Sequence, residues 1–382
     1  MEKLRYGIIG VGKQGSKYAL ILTTGLVKNG TLTAVCDIEE ERIKWAKEKL
    51  EPKGVKVFSD YKEMVESGLV DAVLVETPHY DHPEIAKYTL SKGIHTLIDK
   101  PAGVFTKAIR ELNEYASEKA KDGVKFGIMY NQRTNPLYKY AKELVEAGRI
   151  GDIKRINWII TDWYRPQAYY NQGGWRGTWG GEGGGVLINQ CPHQLDLFQW
   201  LGGMPKKVRG YAQYGKNRDI AVENDVTAYM EYENGATGLF VTSTHDFPGT
   251  NRLEIDGEKG KLVIEKNKLE FTELEVSESE FNATNTKFMP SIPSKKIVKK
   301  MSKLREGFMY IHEQHCGIMK NFTNHVLNGE PLLAPGEEGI NGLTISNAIH
   351  LSSWLGKEVT LPLDEDLYIE ELNKRIEEEK NK

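Results

Sequence analysis

The sequence predicts an α/β fold in which a domain built on a parallel sheet precedes an α+β domain with a large, mostly antiparallel open sheet. In the first third of the chain, short apolar runs such as Leu4–Ile9 alternate with helical stretches such as 16–26, which is typical of βαβ units. After Gly151, long segments rich in β-branched and aromatic residues follow. Apolar and polar residues alternate along 225–232, as in a strand with one buried face. The length of 382 residues accommodates both domains.

The same patterns predict the individual elements and the domain limits. Strands of the first domain are expected at 4–9, 31–36, 56–58, 72–75, 96–98 and 125–129, with helices at 16–26, 39–50, 61–67, 82–92 and 107–121. In the second domain, strands are expected at 154–163, 206–214, 225–232, 236–245, 251–256, 261–265 and 268–272, helices at 186–201, 306–327 and 337–354, and a loop at 281–300. We assign 1–130 to the first domain, 131–360 to the second, whose last helices are able to pack back on the first, and 361–382 to a C-terminal tail.

Composition and charge exclude several classes of protein. Hydrophobic residues make up 39% of the chain and charged residues 27%, as in ordinary globular proteins. The net charge of −3 provides no field for nucleic acid or an anionic membrane, and no run approaches the about 20 apolar residues of a membrane span. The N-terminus lacks a signal-peptide pattern, and the three scattered cysteines indicate neither a disulfide framework nor a metal site. We therefore expect a cytoplasmic protein without a bound metal.

A glycine-rich motif, G-x-G-x-x-G, occupies Gly10–Gly15 between the first expected strand and the first expected helix. The first glycine permits a tight turn, the second lets the backbone approach a pyrophosphate, and the third lets the helix pack closely on the strand. Asp37 ends the second expected strand, 22 residues beyond Gly15, where a carboxylate is suited to bind the adenosine ribose hydroxyls. The first domain is therefore predicted to be a Rossmann domain that binds a dinucleotide.

Asp37 also indicates which dinucleotide binds. Its negative charge repels a 2′-phosphate, so NAD is favoured over NADP. Arg42, on the following helix, is able to reach a 2′-phosphate, although a solvated helix residue is its simpler interpretation. We predict NAD as the cofactor, bound in part by Gly10, Gly12, Lys13, Gln14, Gly15, Asp37, Ile38 and Arg42.

Four segments together resemble the Gfo/Idh/MocA family of oxidoreductases (glucose–fructose oxidoreductase, inositol dehydrogenase and relatives). They are the glycine motif, 76–79 (Glu-Thr-Pro-His), 99–101 (Asp-Lys-Pro), and 183–193, which begins with three glycines and ends with His193. The later strands and helices also follow in the family's order, so the resemblance covers essentially the whole chain. It implies that the cofactor also contacts Thr77, Pro78, His79, His82, Asp99 and Lys100.

The resemblance also implies the catalytic groups. His193 matches the family's catalytic histidine, a base suited to take the proton of a secondary hydroxyl near neutral pH. Lys100 would touch the nicotinamide ribose and the reacting hydroxyl, where its charge stabilises a developing alkoxide. The family usually has glutamate at Asp99. Asn189 falls where inositol dehydrogenase-like members carry aspartate, which leaves two alternatives: either His193 works with Lys100 as its electrostatic partner, or the proton leaves through another group such as Tyr164. We favour the first, with Asn189 as a third catalytic-site residue that holds a hydroxyl next to the reacting carbon.

Aromatic and arginine side chains are dense before the glycine cluster at 183–185. Aromatic faces stack on sugar C–H surfaces and arginine donates to hydroxyls, although the same residue types are enriched at domain and subunit interfaces. Asn131, at the end of the sixth expected strand, is placed to reach the nicotinamide or the substrate. The candidate substrate residues are Trp163, Tyr164, Arg165, Trp175, Arg176, Asn189 and His193.

Three functions are compatible with these residues. The favoured one is reversible, NAD-linked oxidation of a secondary hydroxyl on a sugar, anhydrosugar or cyclitol. The second is NAD-using glycoside cleavage with no net redox change, which differs in that NADH does not accumulate. The third is a non-catalytic sugar- or nucleotide-sensing regulator, and the presence of both Lys100 and His193 argues against it. A remaining alternative is that the substrate is of a different kind, such as an imine or a linear tetrapyrrole.

The second sheet also predicts assembly. Such a sheet is often covered by helices on one face only. Tyr229, Leu239 and Val241 would otherwise form an exposed apolar patch on its outer face. We therefore expect a homodimer or homotetramer joined through this sheet.

Overall fold

The computed structural model describes residues 3–381, which form two units. The first unit comprises 3–134 and Phe308–Leu343, and the second comprises Asn135–Gly307 and 344–381. Among the described residues, every helix is too short or too polar to cross a membrane.

Six strands form the sheet of the first unit: β1 (Leu4–Ile9), β2 (Gly30–Cys36), β3 (Lys56–Phe58), β4 (Ala72–Val75), β5 (His95–Ile98) and β6 (Phe126–Ile128). Their order is β3-β2-β1-β4-β5-β6, and every neighbouring pair is parallel, which confirms the expected βαβ units. The order reverses between β1 and β4. Open sheets of this kind bind ligands outside the carboxyl ends of the strands at that point.

One helix follows each of the first five strands: α1 (Gly15–Thr23), α2 (Glu40–Lys49), α3 (Tyr61–Glu66), α4 (His82–Ser91) and α5 (Thr106–Ala120). Helices on both faces of a parallel sheet bury its strands completely. All four residues of β4 are accordingly buried, and the sheet forms the core of the unit. The chain leaves β6 through a short 3₁₀ helix at Asn131–Thr134.

Nine strands form the sheet of the second unit: β7 (Ile153–Ile160), β8 (Lys207–Tyr214), β9 (Glu223–Glu231), β10 (Thr237–Ser243), β11 (Asn251–Gly257), β12 (Gly260–Glu265), β13 (Lys268–Leu274), β14 (Ser294–Lys300) and β15 (Val359–Thr360). The order is β14-β13-β12-β11-β7-β10-β9-β8-β15. Strands β7 and β10 pair in parallel, whereas the other neighbours are antiparallel, so the expected mostly antiparallel sheet is confirmed. The remaining helices are α6 (Pro136–Glu146), α7 (Gln167–Tyr170), α8 (Pro192–Gly202), α9 (Glu278–Thr284), α10 (Lys303–His312), α11 (Gln314–Asn328), α12 (Gly339–Leu355) and α13 (Glu365–Lys380).

Helices α6 and α8 pack on one face of the second sheet. Tyr138 of α6 lies 5.8 Å from the buried Trp158 ring, and Phe198 of α8 meets Phe240 edge-on at 5.7 Å. The opposite face of β7 behaves differently, since Ile159 is 38% exposed between two fully buried neighbours. The alternation along β7 therefore separates a covered face from an open one.

Helix α11 returns to the first unit although it is remote in sequence. The Tyr6 hydroxyl of β1 lies 2.8 Å from the Thr323 hydroxyl, and the Ile128 N–H of β6 donates to the Ala334 carbonyl at 3.1 Å. Arg133 is 1% exposed, and its guanidinium lies 2.5 Å from a carboxylate oxygen of Glu338. Residues from the last quarter of the chain thus complete the parallel-sheet unit.

Four expected elements differ in the structure. The expected C-terminal tail at 361–382 contains α13, which buries Tyr368 and Leu372. The expected loop at 281–300 contains α9 and the edge strand β14, whose lysines mask the strand pattern and are typical of a protected edge. The expected helix at 186–201 divides into a π-helical turn (Val186–Gln190) and α8, because Pro192 has no N–H to continue the first segment. The expected helix at 306–327 is interrupted at Gln314, which has a left-handed φ of +48°.

Candidate active site

The three glycines of the motif meet the steric requirements of a dinucleotide turn. Gly10 has a φ of +93°, and a Cβ there would lie 2.7 Å from the Glu76 carbonyl oxygen. A Cβ at Gly15 would lie 2.0 Å from the Gly10 carbonyl oxygen, so α1 starts in contact with the turn. Gly12, by contrast, faces open space, and a pyrophosphate can approach its backbone at the N-terminus of α1. The turn therefore fits NAD.

Asp37 follows β2, and two backbone amides hold its carboxylate. The Val11 N–H donates to one oxygen at 2.7 Å and the Glu39 N–H to the other at 2.9 Å. The carboxylate is thereby fixed beside the glycine turn, where it suits ribose hydroxyls. Ile38 is 86% exposed, and the partly exposed Arg42 lies 3.6 Å from a carboxylate oxygen of Glu39.

Two buried side-chain oxygens at the carboxyl ends of β4 and β6 support the same fit. Thr77 Oγ1 and Asn131 Oδ1 have no hydrogen-bond partner among the described residues, which is the condition of groups that bind a ligand. The other end of the Asn131 amide is held, since its Nδ2 donates to His315 Nε2 at 3.0 Å. Burial lowers the pKa of His315 to about 4, so the ring is neutral and accepts this bond. Gln14 Nε2 lies 3.3 Å from the same ring nitrogen.

His82 links the turns that follow β4 and β5. It is 1% exposed, with Nδ1 2.9 Å from the Pro101 carbonyl oxygen and Nε2 2.8 Å from the Thr77 carbonyl oxygen. Pro78 is exposed at the first of these turns, whereas His79 is 7% exposed. The His82 ring thus connects the two turns.

Two carboxyl groups, Glu76 and Asp99, lie near Lys100. Burial, the charge of Asp99 and a hydrogen bond to Asp99 raise the pKa of Glu76 well above its ordinary value, whereas Lys100 acts in the opposite direction. These interactions favour the neutral form of Glu76 beside Asp99. The Lys100 backbone N–H donates to Asp99 Oδ1 at 2.8 Å. The two carboxyl groups thus interact electrostatically with each other, and Glu76 also interacts with Lys100.

In the second unit, the predicted catalytic histidine lies in the first turn of α8. From 182 to 199, every residue except Asn189 and His193 is buried. Asn189 belongs to the π-helical turn before α8, four positions ahead of His193. The side chains of Asn189 and His193 are thus the only ones between 182 and 199 that reach solvent, and we call this otherwise buried segment the wall.

Glu223 of β9 anchors this wall from the core. Its carboxylate accepts the Gly185 N–H at 2.9 Å and the Leu187 N–H at 3.0 Å, and it lies 3.1 Å from His350 Nε2 of α12. Glu223 and His350 are fully buried. A Cβ at residue 185 would lie 2.0 Å from the Glu223 carbonyl oxygen, so only glycine allows this approach. The Glu223 carboxylate thus fixes the backbone that leads to Asn189 and His193.

Glu182, which lies between Gly181 and the glycine cluster at 183–185, is a second buried acidic residue. It is 1% exposed, and its Oε2 accepts the Gly177 N–H at 2.7 Å. Its Oε1 accepts the Asn189 side-chain amide and lies 3.8 Å from Arg176 Nη1. Burial raises the pKa of Glu182 to about 7. The carboxyl group of Glu182 therefore contacts the side-chain amide of Asn189 directly.

Four of the predicted substrate residues form one cluster around Tyr169 of α7. The guanidinium carbons of Arg165 and Arg176 lie 5.1 and 4.8 Å from its ring centroid, and Arg176 also lies 4.4 Å from the Trp175 ring. Arg176 Nη1 donates to the Tyr169 hydroxyl at 2.7 Å. Trp163 belongs to the same cluster, because the Arg165 guanidinium carbon lies 5.8 Å from the Trp163 ring centroid. Guanidinium donors and aromatic faces are thus combined, as carbohydrate recognition requires.

Tyr164 lies apart from this cluster. It is 44% exposed and meets the Phe247 ring edge-on at 5.7 Å. The side chains that the sequence analysis did not identify are Tyr169, Glu182, Glu223 and His315. Glu182 alone had a local signal, a carboxylate within a run of glycines.

Two family models match the chain. Residues 4–128 match the "Oxidoreductase family, NAD-binding Rossmann fold" model, and 138–263 match the "GFO/IDH/MocA C-terminal domain" model. Together they cover both sheets as far as β12, including the glycine turn, Lys100, Asn189 and His193.

Relatives agree with these matches. The myo-inositol 2-dehydrogenase of Thermotoga maritima is 25% identical over 351 residues, which cover 90% of this chain and 95% of that protein. The scyllo-inositol 2-dehydrogenase (NAD(+)) of Bacillus subtilis is 26% identical over 270 residues, 69% of this chain and 74% of that protein. A solved levoglucosan dehydrogenase in complex with NADH and levoglucosan superposes with a TM-score of 0.76 at 19% identity, over 95% of this chain and 100% of that one. With its glycine turn, its two sheets and both family models in agreement, the chain belongs to the Gfo/Idh/MocA family of NAD-binding oxidoreductases.

Proposed function

We propose that the chain is an NAD-dependent dehydrogenase that reversibly oxidises a secondary hydroxyl of a sugar, anhydrosugar or cyclitol. The observation that carries the proposal is the pair Asn189 and His193, which alone are open to solvent between 182 and 199. An imidazole beside an amide is suited to a polyol, because one group takes a proton while the other holds a neighbouring hydroxyl. The inositol dehydrogenases among the relatives support this substrate class.

Each side chain then has one task. His193 takes the proton from the reacting hydroxyl, and Lys100 stabilises the developing alkoxide with its charge. Arg176 and Trp175 orient the ring of the substrate. Bound NAD supplies the hydride acceptor. Thr77 Oγ1 and Asn131 Oδ1 are polar atoms suited to hold the nicotinamide half in place.

A substrate screen tests the proposal. We expect at least one polyol, among sugars, anhydrosugars and inositols, to produce the absorbance of reduced nicotinamide with NAD, and more slowly with NADP. Glycoside cleavage without accumulation of NADH would replace the proposal by the glycosidase alternative. Absence of turnover and of binding with every polyol would overturn it.

The same assay tests the cofactor preference. Asp37→Ser combined with Ile38→Arg removes the repulsion of a 2′-phosphate and adds a cation at an exposed position, so the ratio of NADP to NAD use should rise about 10- to 100-fold. Glu40→Gln, an exposed carboxylate at the start of α2, is the matched control and should leave the ratio unchanged. Equal or better use of NADP by the unmodified protein would contradict the role of Asp37.

We further propose that the chain forms a dimer or tetramer through the open face of the second sheet. Neighbouring strands place Tyr229 opposite Leu239, and Val241 opposite Ile159, on that face. Tyr229 is 42% exposed and Ile159 38%. Light scattering should give at least twice the chain mass of 43.2 kDa, and Tyr229→Lys with Val241→Lys should reduce it. A monomer at working concentration would refute this assembly.

A further inference from the structure

The amide of Asn189 has a fixed orientation that Glu182 imposes. Asn189 Nδ2 donates to Glu182 Oε1. An ionised carboxylate only accepts hydrogen bonds, so the amide nitrogen has to face Glu182 and the amide oxygen has to face away from it. Without a charged partner, an asparagine at this position could direct either its amide nitrogen or its amide oxygen away from residue 182. The ionised form of Glu182 therefore makes residue 189 a hydrogen-bond acceptor.

Glu182 is itself held in one position. The Gly177 N–H donates to its Oε2 at 2.7 Å, and Arg176 Nη1 lies 3.8 Å from its Oε1. Arg176 is held in turn by the Tyr169 hydroxyl at 2.7 Å, and its side chain remains 21% exposed. A single buried carboxylate thus orients one acceptor, Asn189, and one donor, Arg176.

We propose that Glu182 is a positioning residue for substrate recognition, which sets Asn189 as the acceptor and Arg176 as the donor for a pair of neighbouring hydroxyls on a vicinal polyol. The inference rests on the proposed dehydrogenase function and deepens it. A hydroxyl next to the reacting carbon donates its proton to Asn189 Oδ1, while a hydroxyl oxygen accepts from Arg176. A substrate without that adjacent hydroxyl loses this hydrogen bond to Asn189 Oδ1 and binds less tightly.

The charge state of Glu182 gives the inference a pH signature. Burial raises the pKa of Glu182 to about 7, and the charge of Glu223 on β9 adds to the rise. The Gly177 and Asn189 hydrogen bonds and the charge of Arg176 oppose it. Tyr170 of α7 also faces Glu182. Because only the ionised carboxylate fixes the amide, recognition should strengthen as the pH rises through about 7.

Stability should respond in the opposite direction. The folded-state pKa of about 7 lies above the ordinary value of 4.5, so between these values the folded chain holds a proton that the unfolded chain has released. The contribution of Glu182 to stability therefore falls as the pH rises through this window. A residue kept only for stability would not carry such a cost at pH 8. This opposition separates positioning from a structural role.

The experiment compares Glu182→Gln with the wild type on the best polyol from the screen. Glutamine offers one acceptor oxygen in place of two and no charge, so kcat/KM at pH 8 should fall about 10- to 100-fold, mainly through KM. The acid limb of the wild-type kcat/KM profile should be steeper than that of the variant, which lacks the Glu182 ionisation. NADH affinity should not change, and the melting temperature at pH 8 should be equal or higher.

Two further comparisons sharpen the test. The double variant Glu182→Gln/Asn189→Asp places a hydrogen-bond acceptor at residue 189 and an amide at residue 182 to hold it. This variant should recover part of the lost kcat/KM. A deoxy analogue lacking the adjacent hydroxyl should lose less in Glu182→Gln than in the wild type, since the acceptor is already displaced. Glu273→Gln, which removes a carboxylate of β13 that pairs with Arg149, is the control and should behave as the wild type.

Unchanged kcat/KM and an unchanged pH profile in Glu182→Gln would overturn the inference while the proposed function stands. A fall in melting temperature at pH 8 together with weaker NADH binding would also overturn it, since it would show a structural role. If the wild type neither oxidises nor binds any polyol, the proposed function fails first, and this inference fails with it.

Discussion

His193→Ala is expected to abolish most turnover while NADH binding stays close to normal. A positioned general base typically contributes a factor of about 10²–10⁴, and alanine leaves no group at residue 193 to receive the hydroxyl proton. The structure isolates the effect, because His193 is one of two residues open to solvent in a buried wall and Glu223 fixes that wall independently. Removal of the imidazole should therefore leave the backbone in place.

The measurement is kcat from initial rates, alongside a fluorescence titration with NADH. His325→Ala is the matched control, since this histidine lies on α11 and contacts the Glu330 carbonyl. It should retain wild-type kcat. A near-normal kcat for His193→Ala would demote this residue to a structural role, and the proton path would have to be sought elsewhere.

Lys100→Met is expected to lower kcat by about 10²–10³ and to weaken NADH binding by about 3- to 10-fold. In the proposed mechanism, the first effect reflects the loss of a cation at the developing alkoxide, and the second reflects the loss of a donor to the nicotinamide ribose. Methionine preserves the length of the side chain, so packing should change little.

Initial rates and NADH titration again give the two quantities. Lys100→Arg retains the charge but presents it as a planar fork, and should recover only part of the activity. Lys92→Met removes an exposed lysine paired with Glu66 and serves as the control. Full activity of Lys100→Met would show that the Asp-Lys-Pro segment is only a turn.

The sequence was sufficient for the features that depend on local pattern. Alternating strands and helices predicted the parallel sheet, and the glycine spacing placed the pyrophosphate turn, because both follow from periodicity and backbone sterics within a few residues. The edge strand β14 escaped prediction because its exposed position selects lysines, which also occur in loops.

The contacts that complete the site are of another kind. His315 lies 184 residues from Asn131, and Glu223 lies 38 residues from Gly185. No spacing rule joins such pairs, since folding alone brings them together. Glu182 is only seven positions from Asn189, but its role depends on burial and on the direction of an amide. Neither property can be read from a string of residue types.

The return of α11 has a consequence for how this chain can be divided. A cut after Thr134 would leave β1 without the hydroxyl contact from Thr323, and β6 without the backbone bond to Ala334. The dinucleotide module is therefore discontinuous in its gene, and a single crossover cannot transfer it to another protein. A transplantable version needs Phe308–Leu343 joined by a linker to residue 134, with the intervening segment removed. In evolution, the same arrangement requires that the segment 3–134 and the segment Phe308–Leu343 be inherited together, because both contribute to the dinucleotide-binding unit.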